Sequence, residues 1–191
     1  MSVSMVKGQK VSLAKRGGGT LSRVRMGLGW DAVKKRGLFG RRSQSIDLDA
    51  SALLFDGERR LVDAVWFRQL QSKDGSVQHT GDNLTGEGEG DDESIIVDLP
   101  RLSPAVTQIV FTVNSFTGQD FSQIENAFCR LVDETTGDEL ARYDLTGSGR
   151  HNAQIMAKVS RDGGGWAMTA IGAIATGRTF QDLLPATAAH L

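Results

Sequence analysis

The chain has 191 residues, 39% hydrophobic and 24% charged, with a formal net charge of −1, which is long enough for a sizeable core and predicts one domain over residues 1–191. Cys129 is the only cysteine, so an internal disulfide is excluded, soft ligands are too few for zinc or an iron–sulfur centre, and a reducing compartment is expected. No window approaches the ~18 apolar residues needed to span a bilayer, and MSVSMVKGQKVSL lacks a signal-peptide core, so the expected location is cytoplasmic.

In chain order, residues 9–13 read as a short strand. Lys15 to Gly19 then reads as a flexible turn, because its glycine run lacks the GKS/T of a phosphate cradle. Val24, Met26, Leu28 and Trp30 alternate with Arg23, Arg25, Gly27 and Gly29, the period of a half-buried strand. Lys34 to Arg42 is a basic insert able to attract phosphate or an acidic partner, although a mobile solvated loop is the preferred reading. From Ile46 to Leu54 a second alternation places Asp47 and Asp49 on one strand face, about 7 Å apart. Leu61 to Leu70 reads as a third strand with Trp66 and Phe67 as core candidates, and Asp74-Gly75 marks a turn. Strands are also predicted over 95–99, 107–114, 127–133, 139–145, 152–160 and 166–172. A short helix or irregular crossing is predicted at 121–126, and a short helix at 180–184.

Nine or ten short strands with turn signals between them predict an all-β, antiparallel β-sandwich with short helical connections, a barrel being the near alternative. Nothing alternates strand with long helix as a nucleotide-binding α/β fold would.

His79 to Glu93 reads HTGDNLTGEGEGDDE and holds Asp82, Glu87, Glu89, Asp91, Asp92 and Glu93 without Lys or Arg. Six like charges so close repel unless solvent or a cation neutralises them. Glycines at 81, 86, 88 and 90 let the backbone turn several oxygens toward one point, which suits a hard cation. Calcium fits better than Mg²⁺, which demands strict octahedra, or Zn²⁺, which prefers Cys and His. An EF-hand started at Asp82 fails, because its third and fifth positions are Leu84 and Gly86 and Glu87 replaces the required glycine. A loop site completed from elsewhere is the remaining metal reading, with Asp47 and Asp49 as one source; a solvated acidic loop tip is the alternative.

Enzyme readings are weak. His79, Ser76 and Asp82 supply triad residue types but are neighbours in one turn with no nucleophile elbow. Glu87 and Glu93 lack sugar-stacking aromatics nearby. His151 and His190 read as isolated surface residues, and Cys129 as buried packing. No enzymatic activity is expected.

The segments GLGWD ending at Asp31, DLDAS from Asp47, DGSVQHTGDN from Asp74 to Asn83, TGEGEGDDE from Thr85 to Glu93 and ARYDL from Ala141 to Leu145 together resemble the TerD-domain family of tellurium-resistance and stress proteins. NAFCRLVD from Asn126 to Asp133 is most similar to the TerZ branch. The resemblance covers nearly the whole chain. It implies a calcium-binding β-sandwich of the bacterial cytoplasm, associated with resistance to tellurite and other stresses and without an established enzymatic activity. Carried over by motif, it implies Asp31, Asp47, Asp49, Asp82, Asn83, Glu87, Asp91, Asp92 and Glu93 as calcium ligands, a set that two ions accommodate better than one. Two departures stand out: the basic insert 34–42, and Asn114-Ser115-Phe116-Thr117-Gly118 where many relatives carry a His-Asp-Ala stretch.

The leading expectation is therefore a calcium-dependent binding module for an unidentified protein partner, other tellurium-resistance proteins included. The alternatives are a calcium-dependent adaptor for anionic ligands or a peripheral membrane surface, helped by Arg41 and Arg42, and, behind it, a metal-dependent hydrolase. No specific nucleic-acid contact is expected.

Overall fold

In the computed structural model, residues 2–14, 19–32, 34–37, 40–43, 47–81, 90–145 and 149–191 are described. The strands are β1 (Val3–Ser4), β2 (Lys10–Ser12), β3 (Arg23–Ala32), β4 (Lys34–Gly37), β5 (Gly40–Ser43), β6 (Leu48–Phe55), β7 (Leu61–Val65), β8 (Val77–His79), β9 (Glu93–Asp98), β10 (Gln108–Ser115), β11 (Ile124–Asp133), β12 (Glu139–Asp144), β13 (Ala153–Asp162) and β14 (Gly165–Ala175), followed by helix α1 (Phe180–Ala188). Two six-stranded sheets result, one ordered β1-β12-β11-β3-β9-β8 (sheet A) and the other β2-β14-β13-β10-β6-β7 (sheet B), with β4 and β5 forming a separate ribbon. The all-β sandwich expected from the alternating pattern is the observed architecture.

Period-2 alternation sorts the side chains into layers. Val24, Met26, Leu28 and Trp30 of β3 and Ile95 and Val97 of β9 share the main core with Leu48, Ala50, Ala52 and Leu54 of β6 and Ile109, Phe111 and Val113 of β10. The other face of sheet B is also apolar: Leu53, Phe55, Val110 and Ile155 pack with Phe180 and Leu183 of α1 in a second cluster. That double burial is why β6 is buried along its full length, as strands covered on both faces are. The N-terminus closes one side of the sandwich, since β1 pairs with β12 of sheet A and β2 with β14 of sheet B.

Three local expectations change. The third strand stops at Val65 rather than Leu70, because Trp66 and Gln69 exchange backbone hydrogen bonds in a tight reversal and the Asp63 carboxylate gathers Ala64 N, Lys73 N and Gln69 Nε2. The basic insert is an antiparallel ribbon in its described part, with Lys35 opposite Arg42 and Arg36 opposite Arg41. Helix α1 runs to Ala188, beyond the predicted end at Leu184; Asp182 Oδ2 accepts from Arg178 N and Thr179 N and so satisfies donors at its start. Among the described residues no helix is long and apolar enough to cross a membrane.

Candidate functional site: the acidic end of the sandwich

One end of the sandwich collects the last residues of β3 and β10 and the first residues of β6, β9 and β11. The register follows the topology: Glu93 pairs with Leu28, Asn114 with Asp49, and Glu125 with Asp31. At this end Glu93 belongs to the inward-facing series that continues with Ile95 and Val97. Its side chain is fully buried, and Oε2 accepts the backbone N–H of Ala50 in the opposite sheet at 2.7 Å. Ala50 needs that acceptor because β7 runs beside β6 only opposite Ala52–Phe55, leaving the first residues of β6 without a strand neighbour on that side among the described residues. His79 of β8 completes this plug. Its Nδ1 accepts from Gly81 N at 3.1 Å, which assigns the ring proton to Nε2, and Nε2 lies 3.4 Å from Glu93 Oε2.

On the outer face of sheet A stand Asp31, Asp91 and Asp92. Asp92 Oδ2 accepts from Trp30 N at 2.9 Å. Burial raises the Asp92 carboxyl above its ordinary pKa; the Trp30 N–H works against this, and the neighbouring charges of Asp31 and Asp91 add to it. Asp31 Oδ2 accepts from Asn126 Nδ2 at 2.7 Å. Asp91 is held differently: Arg130 Nε donates to its Oδ1 at 2.6 Å, Arg25 Nη1 donates to its Oδ2, and its side chain is only 3% exposed. The clasp continues to Glu134 through Arg25 and to Glu139 through Arg130, and the Asp91 bond raises the Arg130 pKa. It can form because β3 carries glycine at 27 and 29. A Cβ on Gly27 would overlap the Asp91 carboxylate, and one on Gly29 would come within 2.5 Å of the Phe128 ring and 2.7 Å of Gly90 O.

Asp49 lies on the side of sheet B opposite its core face, and Asp47 stands two residues before it, just ahead of β6. Asp49 is buried and its Oδ2 accepts from Asn114 Nδ2 at 3.2 Å; the same nitrogen donates to Arg178 O at 2.6 Å.

The candidate ligands therefore share one end of the molecule but do not converge on one point within the described residues. Asp31 neighbours Asp92 outside sheet A, and Asp49 stands outside sheet B, the two sides being linked through the Glu93–Ala50 bond. Among the described residues no three acidic, His or Cys side chains are grouped closely enough to hold a metal. Asp82, Asn83 and Glu87 lie outside the described residues. Asp91 and Glu93 have other tasks, one neutralised by two guanidinium groups and the other sealing the core. The residues suited to a hard cation are Asp31, Asp47, Asp49 and Asp92, and their oxygen chemistry fits calcium.

The sequence reading missed Arg25 and Arg130 as part of this end. Two glycines inside a strand pattern were the available signal, since such glycines mark close approach of another group. It also misplaced His151, which is 5% exposed and packs on the Phe121 ring at 4.8 Å; burial lowers its pKa against the pull of Asp120. Cys129 is buried as expected, and desolvation pushes its thiol up to about 12.

Comparison with known proteins agrees with these motifs. The TerD domain model matches residues 1–185. The chain is 52% identical over 184 residues to tellurium resistance protein TerZ of Serratia marcescens, covering 95% of this chain and 94% of that protein. It is 38% identical to stress response protein SCP2 of Bacillus subtilis, with 96% and 98% covered. The fold matches the crystal structure of a homologue of telluride resistance protein (TerD) from Streptomyces coelicolor with a TM-score of 0.71 at 21% identity, over 86% of this chain and 95% of that one. This chain belongs to the TerD-domain family of tellurium-resistance and stress-response proteins.

Proposed function

We propose that the protein is a calcium-binding module of the cytoplasm that works in tellurium resistance and stress response without catalysing a reaction itself. In this reading calcium neutralises the acidic end, orders its loops and creates a surface for a protein partner. The observation that carries it is the 2.7 Å bond from Ala50 N to Glu93 Oε2. It ties the exit of the acidic segment to the strand bearing Asp49, so carboxylates far apart in sequence share one end. Asp31 and Asp92 on one outer face, and Asp49 toward the other with Asp47 two residues before it, suit two ions. Phe116 is 40% exposed directly after β10 at the same end, where it offers a partner an apolar contact edge-on to Phe67. Calorimetric titration of chelator-treated protein with Ca²⁺ tests the proposal. Saturable heat together with a calcium-dependent rise in melting temperature supports it, and absence of both removes it.

A second reading is a calcium-dependent adaptor for anionic ligands or membrane headgroups. The β4–β5 ribbon favours it, because this lysine- and arginine-rich hairpin is inserted between Asp31 and Asp47 and so leaves the sandwich at the acidic end. Sedimentation with anionic vesicles in calcium and in chelator separates the two readings; calcium-dependent pelleting favours the adaptor.

A further inference from the structure

We infer that Asn114 is a cation ligand, its side-chain carbonyl oxygen serving as the neutral partner of Asp47 and Asp49 at the sheet B side of the acidic end; this rests on the calcium reading proposed above. Asn114 is 1% exposed, and its Oδ1 is a buried acceptor with no hydrogen-bond partner among the described residues. The orientation of the amide is fixed by chemistry. Its nitrogen donates to Asp49 Oδ2 and to Arg178 O, and turning the group over would set an acceptor against a carboxylate and a carbonyl, both of which only accept. The bonds that hold the nitrogen to Asp49 and Arg178 thus leave the oxygen of the same amide unpaired among the described residues.

A buried carbonyl without a donor costs roughly as much as a lost hydrogen bond unless something electropositive reaches it. Of the groups in contact, Asp49 and Arg178 O supply only electron density. A hard cation shared with Asp49 removes the deficit and also offsets the burial of that carboxylate. The position fits the shortage of donors there, since Asp47 and Asp49 are two carboxylates where a calcium ion takes six to eight oxygens, carbonyls among them. A neutral third donor also keeps the site's charge low, which places it in the weaker range of calcium affinities, where ligand charge count sets the strength.

The test is NMR of the full chain labelled with ¹³C and ¹⁵N at asparagine, first with chelator and then titrated with CaCl₂ while calorimetry follows binding. The chain has four asparagines, Asn83, Asn114, Asn126 and Asn152, and loss of a signal in N114D identifies the right one. Ligation predicts that the Asn114 ¹³Cγ resonance shifts and saturates with the heat. N114A should weaken calcium binding about tenfold or more. N114D, which places a third carboxylate beside Asp49, should melt lower than the native protein in chelator yet gain more from calcium. A purely structural Asn114 predicts instead that the variants lose melting temperature equally in both conditions. Calcium heat with an unmoved Asn114 signal and unchanged affinity in N114A overturns this inference alone, whereas absence of calcium heat overturns the calcium reading and this inference with it.

Discussion

Glu93 in one sheet accepts the backbone N–H of Ala50 in the other at 2.7 Å, and both are buried. Replacing Glu93 with alanine leaves the buried Ala50 donor without its acceptor. The expected cost is about 2–3 kcal/mol, the penalty for a buried donor stripped of a charged partner. E93Q keeps an acceptor and should lose roughly half as much. Urea unfolding in chelator measures both, and equal stability of E93A and the native chain would show that the bond holds nothing.

Asp92 should behave in the opposite way. Its pKa is raised above 3.8 by burial and by the charges of Asp31 and Asp91, so its contribution to stability is complete below the unfolded value and is lost as pH rises through the folded one. At pH 7 without metal the ionised group therefore opposes folding. D92N should melt at or above the native temperature in chelator and should lose part of the calcium-induced rise. Thermal melts of both proteins with and without Ca²⁺ check the reversal, and a variant less stable than native in chelator would contradict it.

Asp91 should prove an anchor. Arg25 and Arg130 neutralise it on the outer face of sheet A, so D91N removes the negative partner of two guanidinium groups that are about a quarter exposed. A loss of about 1–3 kcal/mol is expected, below the range for fully buried pairs. Calcium affinity should fall less in D91N than in D92N. Calorimetry of the two variants ranks them, and the reverse order would make Asp91 a ligand.

Asp74 controls acid stability at the turn before β8. Burial alone would raise its pKa, but hydrogen bonds from the Ser76 and Ser72 hydroxyls and from Ser76 N and Ser103 N bring it from 3.8 down to about 2. A depressed folded value contributes stability that is present above pH 3.8 and lost as pH falls toward 2. With discounting for its exposure, D74N should cost about 1 kcal/mol at pH 7. Denaturation of both proteins at pH 7 and pH 2.5 checks it, the gap narrowing at the lower pH.

The layered core was legible because strand alternation is a local property. Val24, Met26, Leu28 and Trp30 face one way whatever lies opposite. The turn at Asp74 and the burial of Cys129 were legible for the same reason. The length of the strand from Leu61 was not, because it ends where Asp63 recruits Gln69 and Lys73 from beyond the turn.

By itself the sequence determined the all-β alternation, the family and the concentration of acid in one segment, since each is written in residues near one another in the chain. Tertiary structure decided how the carboxylates are divided. Asp91 is given to two arginines, Glu93 to the backbone of the facing sheet, and Asp31 and Asp49 to opposite outer faces. A carboxylate's role depends on which donors lie within about 3 Å of it, and those donors come from strands that only the pairing order brings alongside.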